Sequence, residues 1–297
     1  MLTYHRNRFG EIDVKNNIVL RAFSFDFPDD LNPKWNSNNP VFAHFFNGVS
    51  LTMPYLEPYL CRTNDEARKQ IRDPELLHDI KQFNGQEYRH HECHKRLNVL
   101  LNKNGYPEFK EIEEKIRFSY QELSGRSLPV KLAYSAGFET MTQGFTKWLL
   151  GKRTKLFKNA CPYISSFWLM HMIEEAEHKT VAFDVYMACS GSYLTRALGV
   201  FHGSFHVLGY SFAGMLAAMK KDKLLWTLKG QIGIASLIGL IIWNIGPYFL
   251  NALLPWHDPR NSKEPEWFSQ WIKAYPASDP LKQPLVDTSD PVMPIPF

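Results

Sequence analysis

Two short strings constrain this chain more than anything else in it: "GQEYRHHECHKR", Gly85 to Arg96, and "HMIEEAEHKTVAFDVY", His171 to Tyr186. Both crowd glutamates and histidines together, and the second does so inside an otherwise apolar segment. A helix turns ~100° per residue. Glu175 then sits ~40° from His171 and His178 ~20° to the other side, so the three share one narrow stripe. Glu87, His90 and His94 fall within ~60° of one another by the same arithmetic. Each stripe contains Glu-x-x-His, as Glu87/His90 and Glu175/His178. Carboxylate and imidazole three residues apart can bind the same metal ion or adjacent ones. Two such helices packed face to face are a recurring way for a four-helix bundle to build a dinuclear site.

Such a bundle also takes one glutamate from each of its other two helices. Glu57, in "LTMPYLEPYL", and Glu139, in "LAYSAGFETMTQGF", stand upstream of the two motifs among apolar and small neighbours. Pro74 precedes Glu87 by the same spacing as Pro162 precedes Glu175. The two halves therefore set their motifs at the same height above a helix start. Unpaired buried carboxylates are prohibitively costly. Four glutamates around two divalent cations are not, and neutral histidines complete the shells without disturbing the balance.

Some nearby residues fit less well. Glu75/His78 repeats the motif, but it lies ~18 Å of helix below Glu87 and has no matching solitary glutamate, which excludes it. His91 is ~40° from Glu87, so geometry leaves both His90 and His91 open, and only the matched pattern favours His90. Glu174 and Glu177 turn away from the stripe by ~60° and more, toward solvent or a supporting layer.

Around these motifs the chain reads as all-α. Residues 1–45 form an irregular segment with a strand candidate in "IVLRAFSFDF". Helical character begins near Ser50. Asp73 caps a helix opening at Pro74 and stopping at Asn104–Gly105. Further helices run from Pro129 to about Leu150, and from Pro162 to about Cys189. The expected fold is a ferritin-like four-helix bundle over 46–191 with a dinuclear metal site, plus two additional apolar helices in a 192–275 extension. A Pro-rich tail, 276–297, follows. Gly230 to Trp256 carries no charge, and Tyr193 to Met219 is broken only by Arg196, His202 and His206. These read either as buried or interfacial helices or as a hairpin dipping into a membrane, at a surface or integrally.

With these residues assembled, the chain resembles the bacterial family known as predicted metal-dependent hydrolases. The matching segments are "NGVSLTMPYLE", "DPELLHDIKQFNGQEYRHHECHKRLN", "AYSAGFETMT" and "HMIEEAEHKTVAFDVY", spanning Asn47 to Gly191, with a fainter echo at "LPWHDP". Pro58 after Glu57 departs from that family's usual pattern, and a kink there would shift Glu57. The ligand order is also similar to that of ferritin-like di-iron N-oxygenases of arylamines, which end on His-x-x-x-Glu-x-x-His. That likeness implies His171 as a ligand beside Glu175 and His178, seven donors in all with Glu57, Glu87, His90 and Glu139; His94, on the stripe of Glu87, is an eighth candidate that the pattern leaves open.

Three functions follow as expectations. The first is an O2-dependent oxidoreductase with two metal ions, iron by ligand type, acting on an apolar or aromatic substrate with an electron donor; manganese or zinc remain open. The second is a metal-dependent hydrolase using a metal-held hydroxide, with Glu174 or His91 as the neighbouring acid or base. The third is a non-catalytic metal-binding protein. Net charge is only +4, too mild to imply nucleic acid. Four scattered cysteines without a CxxC pair suggest reduced thiols in a cytoplasmic protein, as does a start lacking a signal-like apolar run. The pattern leaves room for a membrane surface and for a homodimer.

Overall fold

The computed structural model describes residues 18–21, 25–276 and 285–293. It is all-helical, with no strand among the described residues. Much of the strand candidate "IVLRAFSFDF" is irregular, and residues 22–24 of it lie outside the described residues, as does the chain start.

Helix α1 (Pro40–Ala67) begins ten residues before Ser50. Asn39 caps it by accepting from the Phe42 amide at 3.2 Å, and Pro40 takes the first-turn place where no amide is needed. The run Val41, Phe42, Ala43, Phe45 and Phe46 is wholly buried, so burial from neighbouring helices overrides the breaker-rich lead-in. Pro54 and Pro58 lie inside α1 without ending it. Pro54 supplies no amide to the Ser50 carbonyl, and the side-chain amide of Asn98 donates to that oxygen instead, at 2.9 Å. The kink suggested by Pro58 does not displace Glu57, which is buried in the centre of the bundle.

Helix α2 (Pro74–Asn104) starts and stops at the expected signals. Asp73 accepts from the Glu75 and Leu76 amides at 2.9 and 3.4 Å, and Gly105 closes the end. Helix α3 (Phe109–Ser124) was not expected. It is amphipathic, burying Phe109, Ile116, Tyr120 and Leu123 while its other face stays wet. Helix α4 (Leu128–Gly151) carries Glu139. A single turn, α5 (Arg153–Leu156), leads to α6 (Pro162–Glu177), and α7 (Val181–Cys189) follows. The sequence suggested one helix through to Cys189. It breaks at 178–180, where Lys179 swings out to Glu264 and the Ser262 carbonyl at 2.8 and 2.7 Å.

Helix α8 (Tyr193–Lys221) is a full member of the bundle, laid between α1 and α4. Backbone meets backbone along it. A Cβ on Gly199 would lie 2.0 Å from the Ala133 carbonyl oxygen, and one on Gly48 would lie 2.1 Å from that of Ser211. Only glycine permits that approach. Helix α9 (Leu228–Ala252) lies outside, against α4 and α1, and most of it is exposed. It is the one helix among the described residues long and apolar enough to cross a membrane. Helix α10 (Glu266–Ala274) brings Trp267 and Trp271 onto the bundle. Residues 285–293 close one side, with the Val286 amide donating to Ser166 Oγ at 2.7 Å.

Candidate metal centre

Glu57 on α1, Glu87, His90 and His94 on α2, Glu139 on α4, and His171, Glu175 and His178 on and just after α6 all point into the middle of the bundle. Each of these residues is at most 2% exposed. Their donor atoms form overlapping groups, within each of which every atom lies within 4.8 Å of the others. One group is Glu87, Glu139, Glu175 and His178, and another is Glu57, His94 and His171. His90 bridges them, grouped with His171 and Glu175 on one side and with Glu57 and Glu87 on the other.

Both carboxylate oxygens of Glu57 and of Glu139, one oxygen of Glu87 and Nδ1 of His90 are buried without a hydrogen-bond partner. Orphaned acceptors in one place are costly unless something positive sits among them. The donor set of oxygens and imidazole nitrogens, with no thiolate, suits iron, manganese or zinc. The residues present therefore fit divalent ions.

Three imidazoles are fixed from behind so that a lone pair faces inward, the arrangement typical of metal-binding histidines. Gln86 spends its amide hydrogens on the Val19 carbonyl and Glu177, at 3.0 and 2.8 Å, so its Oε1 must accept from His178 Nδ1–H, at 2.9 Å. His178 Nε2 then looks at Glu175, Glu87 and Glu139 from 3.1, 3.3 and 3.6 Å. The Ser50 hydroxyl donates to Asn98 at 2.7 Å and accepts from His94 Nδ1–H at 2.8 Å. That leaves His94 Nε2 inward, 3.8 Å from Glu57. His90 donates through Nε2–H to Glu174 at 2.9 Å, and its orphaned Nδ1 faces Glu87 and Glu175 from 3.8 and 3.7 Å. His171 Nε2 lies 2.9 Å from Glu175 Oε1, and its Nδ1 lies 3.0 Å from His94 Nε2.

Electrostatics follow from this crowding. Burial and neighbouring carboxylates push Glu57 and Glu87 well above the usual carboxylate range, and Glu139 up to about 7. Burial also works against an ionised Glu175, but His178 and His171 beside it hold that carboxylate well below its ordinary value. Burial lowers His90 to about 3 and His171 to about 4. His178 goes the other way: burial works against its charge, but Glu175, Glu139 and Glu87 outweigh it and raise it well above 6.5. In the metal-free protein a proton on His178 stands in for a cation.

Glu174 and Glu177 do not face water. Helix α6 is covered on every side from Ile164 to Glu177. Glu174 reaches His90 and lies 3.5 Å from Arg21 Nη1; Glu177 makes a two-pronged ion pair with Arg21 at 2.9 and 2.6 Å. Arg21 also donates to the Tyr275 carbonyl at 2.9 Å and lies over the Trp271 ring. His91 stands outside the cluster, half-buried at the bundle surface, with Nε2 3.3 Å from Glu92. The excluded Glu75 and His78 are exposed at the start of α2.

A cavity of about 240 Å³ adjoins the cluster. His171 and Glu175 form its polar end; Phe45, Phe46, Phe145, Trp168, Ile245 and Phe249 are among the apolar side chains lining the rest.

The model of the family described as predicted metal-dependent hydrolases matches residues 19–263, most of the length. The chain belongs to that family. The match reaches past the bundle core to include α8, α9 and the "LPWHDP" turn, so the outer helices belong to the family's common body. The family is one of enzymes, and the buried carboxylates and imidazoles are where its metal would sit. No curated protein and no solved structure gives a significant match.

Arg21, Gln86, Ser50 and Asn98 carried no readable signal in the sequence. Each acts across a long stretch of chain, as Arg21 does on Glu177.

Proposed function

We propose that this chain holds two metal ions, iron by preference, and uses them with O2 and an external electron donor to oxidise an apolar or aromatic substrate. In this reading Glu87, Glu139, Glu175 and His178 hold one ion, and Glu57, His94 and His171 hold the other. His90 and Glu175 would lie between them, a layout like that of ferritin-like di-iron bundles. When bound, the metals supply the activation of O2 and the electrons' path to it.

The observation that carries this reading is the character of the cavity. Its wall toward the cluster is aromatic and aliphatic, and its polar side chains away from His171 and Glu175 are the hydroxyls of Thr142, Ser204 and Ser211. Such a surface binds hydrocarbon and excludes water. It offers no charged group to bind a polar ester or phosphoryl substrate, nor a proton donor for a leaving group. Glu174, whose carboxyl is pushed up to about 7 by burial, is able to hold or release a proton at Oε2, 2.9 Å from His90.

Hydrolysis is the second reading, favoured by the family's description. Glu174 would then be the acid or base beside a metal-held hydroxide. The two separate on one preparation. Ferrous-loaded protein, purified without air and mixed with oxygenated buffer, is expected to consume O2, and zinc-loaded protein to leave aryl esters intact. Ester cleavage with zinc, and no O2 uptake with iron, would reverse the choice.

A further inference from the structure

Helices α8 and α9 present a broad apolar face to the outside. On α8, Leu194, Leu198, Phe201 and Phe205 are 72, 69, 43 and 60% exposed and follow one another at helical spacing along one side. On α9, Leu228, Ile232, Ile238, Ile242, Trp243 and Leu250 are all exposed, Trp243 at 81%. Phe249 joins the two rows, in ring contact with Phe201 and Phe205 at 5.1 and 5.9 Å. Monomeric soluble proteins rarely leave a contiguous apolar surface of this kind uncovered.

Three observations indicate what covers it. Charge is confined to one end. Lys220, Lys221, Lys223 and Lys229 cluster at the turn between the helices and are exposed, whereas α9 has no charged residue after Lys229. Large exposed indoles mark the ends and the middle: Trp226 before α9, Trp243 within it and Trp256 beyond it are 85, 81 and 74% exposed. Tryptophan beside lysine, next to a bare aliphatic face, is the composition of a lipid–water boundary.

The third observation sets the orientation. Helix α9 is tied to the bundle over its whole length. Gly233 lies against Val41 near its start, and Ile245 packs on Gly144 further along. At its far end Arg196 donates to the carbonyls of Ala252 and Leu254 at 2.7 and 2.6 Å, and Tyr193 to that of Leu253 at 2.9 Å. A helix of 25 residues, ~37 Å long at 1.5 Å per residue, matches a bilayer in length. Crossing one would drag α1 and α4, with their polar ends, into lipid. A helix fastened along one side and apolar on the other lies in the membrane plane.

We propose that the α8–α9 face docks this protein on an anionic lipid bilayer, with α9 parallel to the surface, and that the cavity opens toward that lipid. Ile242 and Phe205 belong both to the exposed face and to the cavity wall, which continues inward to His171 and Glu175. A substrate bearing a hydrocarbon chain reaches the cluster from the bilayer without passing through water. This substrate class rests on the oxidative reading above; the docking does not.

The test is flotation of the full chain with vesicles of phosphatidylcholine alone and of phosphatidylcholine with phosphatidylglycerol, in metal-loaded and metal-stripped forms. Binding is expected to both, more than tenfold stronger with the anionic lipid at low salt, and independent of metal. Brominated acyl chains are expected to quench tryptophan emission. The W226E/W243E variant, outside the cavity, is expected to lose at least tenfold in binding while keeping its helical circular dichroism and metal content. Failure to float with either vesicle overturns the proposal, and so does a stable dimer in solution that the same variant splits, which assigns the face to a second copy of the chain. Vesicle binding without O2 uptake would leave the docking standing and remove the oxidative reading alone. A cavity occupant is tested with palmitic acid: Ile242→Asp should weaken its binding at least tenfold, and unchanged binding overturns the route from the bilayer.

Discussion

His178 Nδ1 donates to Gln86 Oε1 at 2.9 Å, and this one hydrogen bond decides what His178 shows to the centre of the bundle. Gln86 cannot turn its amide around, because both of its hydrogens are already committed to the Val19 carbonyl and Glu177. The histidine must therefore aim Nε2 at three carboxylates. Arg21 anchors the far end of the chain of contacts through Glu177, so an ion pair at the bundle margin fixes a ring at its centre.

Gln86→Leu breaks that chain at one link. The variant leaves the His178 tautomer unfixed and Glu177 short of a donor. Loss of such a supporting partner typically costs 10–100-fold in metal affinity. A drop of that size is expected in chelator competition with Zn2+ or Fe2+, with the fold retained by circular dichroism. An unchanged affinity would mean that the ring's orientation is set elsewhere.

Glu175 faces both poles of the cluster, grouped with His90 and His171 and also with Glu87, Glu139 and His178. Glu175→Ala is expected to strip metal to well under half of the wild-type content, whereas Glu139→Ala, touching one pole, should retain about half. Elemental analysis of the purified variants checks both. Equal retention by the two would show that Glu175 does not bridge.

Metal uptake should expel protons. Glu57 and Glu87 are held well above their ordinary pKa by burial and by neighbouring carboxylates, Glu175 and Glu139 among them, and His178 is raised by its carboxylates. The metal-free site therefore holds protons more readily than free carboxylates and imidazole do, and cations would replace them. Calorimetric titration in buffers of different ionisation enthalpy is expected to show proton release on loading, and a buffer-independent heat would show that the metal-free site holds no protons to expel. Loading should also raise Tm, since the ions bind the folded form.

His44 gives a pH signature away from the cluster. It is fully buried, 3.1 Å from Asp222 and edge-on to Tyr106, and burial lowers it to about 4 despite the carboxylate beside it. Its folded pKa lies below the unfolded value of about 6.5, so the unfolded chain takes up the proton first. The stability tied to neutral His44 is complete above about pH 6.5 and is lost as pH falls toward 4. One proton corresponds to a slope of up to ~1.4 kcal/mol per pH unit. Urea unfolding between pH 7 and 4 should be shallower by up to that amount in His44→Gln. Parallel curves would show that His44 is not the group responsible.

How much of this was legible beforehand depended on the distance over which each signal acts. The two Glu-x-x-His strings follow from helical period alone, and Asp73–Pro74 and Pro162 are local start signals that the structure keeps. Stripe arithmetic separates facing from non-facing residues only when the far side of a helix is wet. Helix α6 has no wet side, so Glu174 turns from the stripe yet meets His90. The break after His178 answers to Ser262 and Glu264, and the early start of α1 to burial of its aromatic run by other helices. Neither could be seen from the neighbouring residues. The same holds for Arg21, whose partner Glu177 is distant in the chain.

Pro54 is a missing rung in the α1 ladder, yet replacing it by a better helix former need not help the protein. The vacant Ser50 carbonyl is the handle by which Asn98 grips α1, and the same Asn98 receives the Ser50 hydroxyl that in turn orients His94. An alanine at position 54 would complete the ladder of one helix and loosen the aim of an imidazole on the next.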